Sequence, residues 1–149
     1  IGAGPDRSRL ESLAGPSVTF LGWQPDEVVR DHFRRCRALL FPGIEDFGIV
    51  PAEALACGSP VIALGLGGAA ETVAPSMGRL YHAQSPDGLL SALESWEHDG
   101  FPFDPQAARA RAESLSTTLF RARLLTYLSD VVSRTAPTSN RVPAPHLAV

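Results

Sequence analysis

The stretch Phe41-Pro42-Gly43-Ile44-Glu45-Asp46-Phe47-Gly48-Ile49-Val50-Pro51-Ala52-Glu53-Ala54-Leu55-Ala56-Cys57-Gly58-Ser59-Pro60-Val61-Ile62-Ala63 leaves this chain few folding options. It reads as a strand end, a loop carrying acids and a glycine, a short helix, a turn and a second strand. Pro51 stands in the first turn of that helix, where proline is tolerated, and Gly58 stands just past its end. Strands that alternate with helices at this spacing imply a parallel sheet with helices on both faces. The expected fold class is therefore α/β and Rossmann-like.

The same stretch carries chemistry. Glu45 and Glu53 lie eight positions apart around the helix start, with Phe47, Gly48 and Ile49 between them. Free N–H groups at a helix N-terminus suit a phosphate. Carboxylates beside them accept hydrogen bonds from sugar hydroxyls. The ligand that fits both is a phosphorylated sugar or a nucleotide. Further on, Gly65-Leu66-Gly67-Gly68-Ala69-Ala70-Glu71 is a second flexible loop ending in an acid.

The remaining elements follow from periodicity and punctuation. Ile1–Gly4 is expected to be a strand stub with a glycine turn, and strands are expected at Val18–Leu21, Ala38–Phe41, Val61–Leu64 and Arg79–Tyr81, the last a short one. Helices are expected at Asp6–Ala14, Asp26–Arg35, Pro51–Cys57 and Ala69–Val73, at Pro86 to about Trp96 behind a Ser85 N-cap, and at Pro105 to about Val132. The last keeps an apolar stripe of Leu115, Leu119, Phe120, Leu124, Tyr127, Leu128 and Val131. Residues 1–133 are read as one domain and 134–149 as a flexible tail. In a parallel sheet the ligand lies beyond the carboxyl ends of the strands. Gly2–Gly4, Gly22-Trp23, Gly43–Glu45 and Gly65–Gly68 all follow expected strands, which puts four loops on one edge.

Bulk properties narrow the function. With 149 residues, 44% hydrophobic and 19% charged, the chain has the composition of an ordinary globular domain. A formal charge of −3 argues against a nucleic-acid partner, which requires a basic face. Arg30, Arg34, Arg35 and Arg37 still form a local basic cluster. No apolar run is long enough to span a membrane. Cys36 and Cys57 lack CxxC or metal-ligand spacing and are expected to be free thiols in a cytoplasmic protein. The opening Ile1-Gly2-Ala3-Gly4 looks like a strand already in progress, so a piece of a longer protein is expected.

Taken together, these stretches resemble the C-terminal, nucleotide-sugar-binding half of a retaining glycosyltransferase of the two-Rossmann-domain (GT-B) type, in the glycogen-synthase-like and mannosyltransferase group of glycosyltransferase family 4. The residues that carry the resemblance are Glu45 through Glu53 with Phe47-Gly48 between them. Beside them stand Cys57-Gly58-Ser59-Pro60-Val61, Gly67-Gly68-Ala69-Ala70-Glu71 and Gly2-Ala3-Gly4-Pro5. The resemblance implies that Glu45, the candidate catalytic residue, contacts hydroxyls of the donor sugar. Asp46, Phe47, Gly48, Ile49 and Val50 would meet the sugar and diphosphate, and Glu53 the ribose. Gly4, Gly22, Trp23 and Gln24 would lie along the ribose and base, with Gly67, Gly68 and Glu71 as further loop contacts.

It also implies no cofactor and no metal, the nucleotide sugar being a substrate. The acceptor site would belong to an N-terminal domain absent from this chain, through which a peripheral membrane contact would arise, and the location would be the cytoplasm or the inner face of its membrane. The wording from Glu45 to Pro51 favours GDP-mannose as donor, with UDP- or ADP-glucose as the alternative. A non-catalytic nucleotide-sugar-binding module is a second alternative, and a sugar phosphorylase or epimerase on the same scaffold a third.

Blander readings stand beside these. Asp46 could set a turn through its own side chain, and Glu71 could be a first-turn acid favoured by the helix dipole. Gly48, Gly67 and Gly68 could serve a positive φ rather than a ligand. Trp23 could pack on the core edge or stack near a base. His32 reads as a satisfied subsurface histidine, and His82 and His98 have no ligand spacing. Gly2-Ala3-Gly4 suggests a dinucleotide fingerprint, but Arg7 occupies the place of its third glycine, which argues against hydride transfer.

Overall fold

The computed structural model describes residues 1–135. The chain divides into two compact units, Ile1–Ser114 and a second beginning at Leu115.

The first unit is built on three parallel strands in the order β1 (Leu39–Phe41), β2 (Val61–Leu64) and β3 (Gly78–Tyr81). Leu39 pairs with Val61, and Val61 in turn with Gly78. A central strand covered on both faces must be apolar at every position. The four residues of β2 are all fully buried. Because side chains alternate across a strand, Val61 and Ala63 enter one core with Ala54, Leu55, Ala69, Val73, Met77 and Ala108. Ile62 and Leu64 enter the other with Tyr81 and Ala92, flanked by Leu89, Leu93 and Trp96. Helices α3 (Ile49–Ala56), α4 (Gly68–Thr72) and α6 (Pro105–Ser114) thus supply the first face, and α5 (Pro86–Asp99) the second. Two more helices, α1 (Arg7–Leu13) and α2 (Asp26–Arg35), precede the sheet, and Phe33 of α2 packs against the first core.

Helix ends follow from named residues. Ser85 caps α5 by accepting from the Gly88 amide at 3.1 Å. Asp104 caps α6, its Oδ1 accepting from the amides of Gln106 and Ala107 at 2.9 and 3.0 Å. At the end of α3, Gly58 adopts φ +80°. Its amide donates to the Leu55 carbonyl and the Ser59 amide to the Ala54 carbonyl, both at 2.9 Å, a Schellman arrangement.

Several expectations are corrected. Ile1–Gly4 and Val18–Leu21 are not strands. A strand needs a ladder of hydrogen bonds, and here the Gly2 amide bonds the Gly22 carbonyl at 2.7 Å, just past the second segment, without extending into one. Helix α3 starts at Ile49, two residues ahead of the expected Pro51, because Gly48 rather than the proline ends the loop. Helix α5 runs on to Asp99, beyond the expected Trp96. The long helix expected from Pro105 is two helices, since α6 ends at Ser114. The second unit contains α7 (Thr117–Thr135), where the Ser116 hydroxyl accepts from the Leu119 amide at 3.4 Å and restarts the helix. The expected tail at 134–149 lies outside the described residues except for Arg134 and Thr135, which continue α7.

Candidate functional site

The carboxyl ends of β1 and β2 point to the same edge, and the loops that follow them meet there. The Gly68 amide donates to the Glu45 carbonyl at 2.7 Å. Gly67 has φ +63°, and a Cβ on it would stand 2.5 Å from the Glu45 carbonyl oxygen. A Cβ on Gly68 would stand 2.3 Å from the Phe47 carbonyl carbon and oxygen. The two glycines thus let one backbone seat directly on another. Their small size is used against the protein's own loop, which the sequence left undecided between turn geometry and ligand approach.

That loop leads into α3 through Gly48, a buried residue with φ +76° and ψ 62°. Its Cβ position is only in ordinary contact with Pro51 and Ala69, so the left-handed backbone explains the glycine better than crowding does. Among the described residues no side chain caps the helix start. The amides of Ile49 and Val50 therefore stand where a helix offers no internal acceptor, and Pro51 at the third position has no N–H to satisfy. Around this start Glu45, Asp46, Phe47, Ile49 and Val50 are exposed. The carboxylates of Glu45, Asp46 and Glu53 form no ion pair among the described residues.

Two clefts that share Ile1 hold other expected residues. One, of about 610 Å³, is lined by Gly2, Gly4, Leu21 and Gly22 and bordered by Arg7. Gly22 has φ +68°, and a Cβ there would meet the Arg7 guanidinium at 3.0 Å. The other, of about 550 Å³, is lined by Val50 and Glu53 together with Phe33, Leu39, Phe41 and others. Ile1 lines both. Gly4 with Gly22, and Val50 with Glu53, are thus brought to neighbouring clefts, while Glu45, Phe47 and Gly48 meet Gly67 and Gly68. Glu53 also borders a smaller cleft of about 260 Å³ with Asp26, Arg30 and Cys57.

Other expected residues are placed less decisively. Trp23 is 77% exposed, which removes the core-edge reading. Gln24 spends its amide locally, with Nε2 donating to the Leu21 carbonyl at 2.7 Å. Glu71 is exposed, and among the described residues it is its carbonyl rather than its carboxylate that has a partner, the Arg111 guanidinium at 2.8 Å. His32 sits as expected, its Nδ1 2.8 Å from the Val28 carbonyl oxygen. Cys36 and Cys57 are free. Arg7 and Arg111 were not singled out as candidates. Their long-range partners are backbone carbonyls, which leave no mark in a sequence.

Among the described residues no group of three or more His, Cys, Asp or Glu side chains is arranged to hold a metal ion, and no helix is long and apolar enough to cross a membrane.

Comparison with known proteins gives the family and the fold. Residues 1–114 match the family model of glycosyl transferases group 1, the same span as the first compact unit. The chain is 32% identical to the D-inositol 3-phosphate glycosyltransferase of Stackebrandtia nassauensis, over 96% of its own length and 34% of that protein. It superposes on the sucrose-phosphate synthase of Thermosynechococcus elongatus with a TM-score of 0.72 at 29% identity, over 88% of this chain and 35% of that one. On Anabaena Alr3699/HepE in complex with UDP-glucose the TM-score is 0.68 at 23% identity, over 85% and 38%. The chain thus spans about a third of each of these proteins. It has the parallel sheet and flanking helices of one half of a GT-B-like Rossmann fold, and it belongs to the glycosyl transferases group 1 family.

Proposed function

We propose that residues 1–133 form the C-terminal, donor-binding half of a retaining glycosyltransferase that transfers a hexose from a nucleoside-diphosphate sugar. The observation that carries this is the Glu45–Gly48 loop, seated on Gly67 and Gly68 and delivering an uncapped helix start between two exposed carboxylates. In this reading the amides of Gly48, Ile49 and Val50, with the dipole of α3, stabilise the negative charge that builds on the departing diphosphate. Glu45 grips the hexose hydroxyls and holds the anomeric carbon for attack. Glu53, one turn further along the helix, takes the ribose diol. Gly4, Gly22 and Trp23 border the base, while Asp46 shapes the loop. The acceptor belongs to a second domain of the longer protein.

UDP-glucose is the donor we favour. The wording of residues 45–51 pointed to GDP-mannose, but HepE shares this fold and is known in complex with UDP-glucose. A calorimetric titration of the chain with UDP-glucose, ADP-glucose and GDP-mannose separates the readings. Binding of UDP-glucose at least tenfold tighter than GDP-mannose is expected. The reverse order restores the mannose reading, and no binding of any of the three rejects a donor site in this chain.

A further inference from the structure

The helix that follows the Gly67–Gly68 loop is met at its other end by an arginine. Arg111 on α6 reaches across to the far end of α4. Its Nη2 donates to the Glu71 carbonyl at 2.8 Å and its Nε lies 3.4 Å from the Thr72 carbonyl. These are last-turn carbonyls of a five-residue helix, which have no partner within the helix. A guanidinium there satisfies two of them and meets the negative end of the helix dipole. Arg111 makes no ion pair among the described residues, so its charge is directed at the helix.

The opposite end of α4 is Gly68, whose amide holds the Glu45 carbonyl. Five residues of helix span only about 7.5 Å, so α4 links the carbonyls met by Arg111 to the Glu45 loop over a short distance. A parallel contact exists one helix over. The Arg109 guanidinium lies against Gly58 at the end of α3, 3.1 Å from where a Cβ would stand. Helix α6, which also packs on α3, thus sets an arginine at the C-terminal end of each of the two helices whose N-terminal ends meet at the candidate site.

Resting on the donor-site reading above, we propose that Arg111 is a positioning residue for the Glu45 loop, acting through α4 without touching ligand. The test uses the whole chain and two substitutions, Arg111→Gln and Arg111→Lys. Amide hydrogen exchange is followed at Gly68 and, for reference, at Ile62 in the centre of the sheet. Arg111→Gln is expected to speed Gly68 exchange about three- to tenfold and to leave Ile62 within twofold, with Arg111→Lys in between. A purely structural role would move both amides by the same factor, and that result, or an unchanged Gly68, overturns the proposal. Should Arg111→Gln fail to fold, the lysine variant carries the same comparison. In a second arm the Kd for UDP-glucose is expected to rise about three- to tenfold in Arg111→Gln and to recover at least half of that in Arg111→Lys. A chain that binds no nucleotide sugar at all rejects the donor-site reading, while the Gly68-to-Ile62 ratio still decides whether Arg111 holds the loop.

Discussion

Gly68 and Glu45 are joined backbone to backbone, the amide of one donating to the carbonyl of the other at 2.7 Å. The bond ties the loop after β2 to the loop after β1, two segments more than twenty residues apart in sequence. It leaves the Glu45 side chain exposed while fixing the backbone that carries it.

Gly68→Ala is expected to be among the most damaging single-methyl changes in the chain. Its Cβ would lie 2.3 Å from the Phe47 carbonyl, and backbone cannot move aside as a flexible side chain can. A cost of about 1–3 kcal/mol is expected, seen as a fall in Tm of roughly 3–12 °C. Gly4→Ala, which meets nothing within 4 Å, should stay within about 0.5 kcal/mol of the parent. Thermal melts of the two variants side by side check the contrast, and equal losses would mean the loop contact is looser than described.

Gly48 separates conformation from space. Its φ of +76° is unfavourable for a residue with a Cβ, yet there is room for one. Gly48→Ala should cost about 1–2 kcal/mol and Gly48→Asn distinctly less, because asparagine tolerates the left-handed region. Denaturant midpoints would show the order, and an alanine variant as stable as the asparagine one would contradict it.

Asp104 caps α6 with two amide contacts. Asp104→Ala is expected to lower stability by about 1 kcal/mol. Asp104→Asn should recover most of that, since the cap needs an oxygen acceptor more than a charge. Chemical denaturation of the three proteins measures it.

Much of this architecture was legible in the sequence. The turns at Gly58 and Ser85 and the alternation of apolar runs with helical stretches fix the parallel order, because each depends on local chemistry. The misreadings share a different cause. Val18–Leu21 has the composition of a strand, but ladder pairing is decided by what lies beside it. Pro105 onward keeps one apolar period through Ser114, Leu115 and Ser116, and the hydroxyl that restarts the helix at Ser116 does not disturb that period. At the site, the glycines and acids announced themselves by type. The reason for Gly67 and Gly68 did not, since it lies in the Glu45–Phe47 backbone they press against. Arg111 was silent for the same reason, its partners being carbonyls of residues forty positions earlier.

Glu45 and Glu53 should divide the donor between them. Glu53→Ala is expected to weaken UDP and UDP-glucose alike, by tenfold to over a hundredfold, as expected for loss of a charged hydrogen bond worth about 1.5–3 kcal/mol. Glu45→Ala should spare UDP and weaken only the sugar conjugate. Titration of both variants with both ligands checks the assignment. Equal losses throughout would reject the division, and a loss of UDP binding confined to Glu45→Ala would reverse it.

The central claim is that a nucleotide sugar sits at the start of α3, against the loop braced by Gly68. Backbone amide shifts of the isotopically labelled chain, followed as UDP-glucose is added, test it most directly. The account predicts the largest changes at Gly48, Ile49 and Val50, smaller ones at Gly22, Glu53 and Gly67, and none along α5 from Leu89 to Glu97. Saturable changes centred on α5 or on the far edge of β3, with Gly48 to Val50 unmoved, would contradict it.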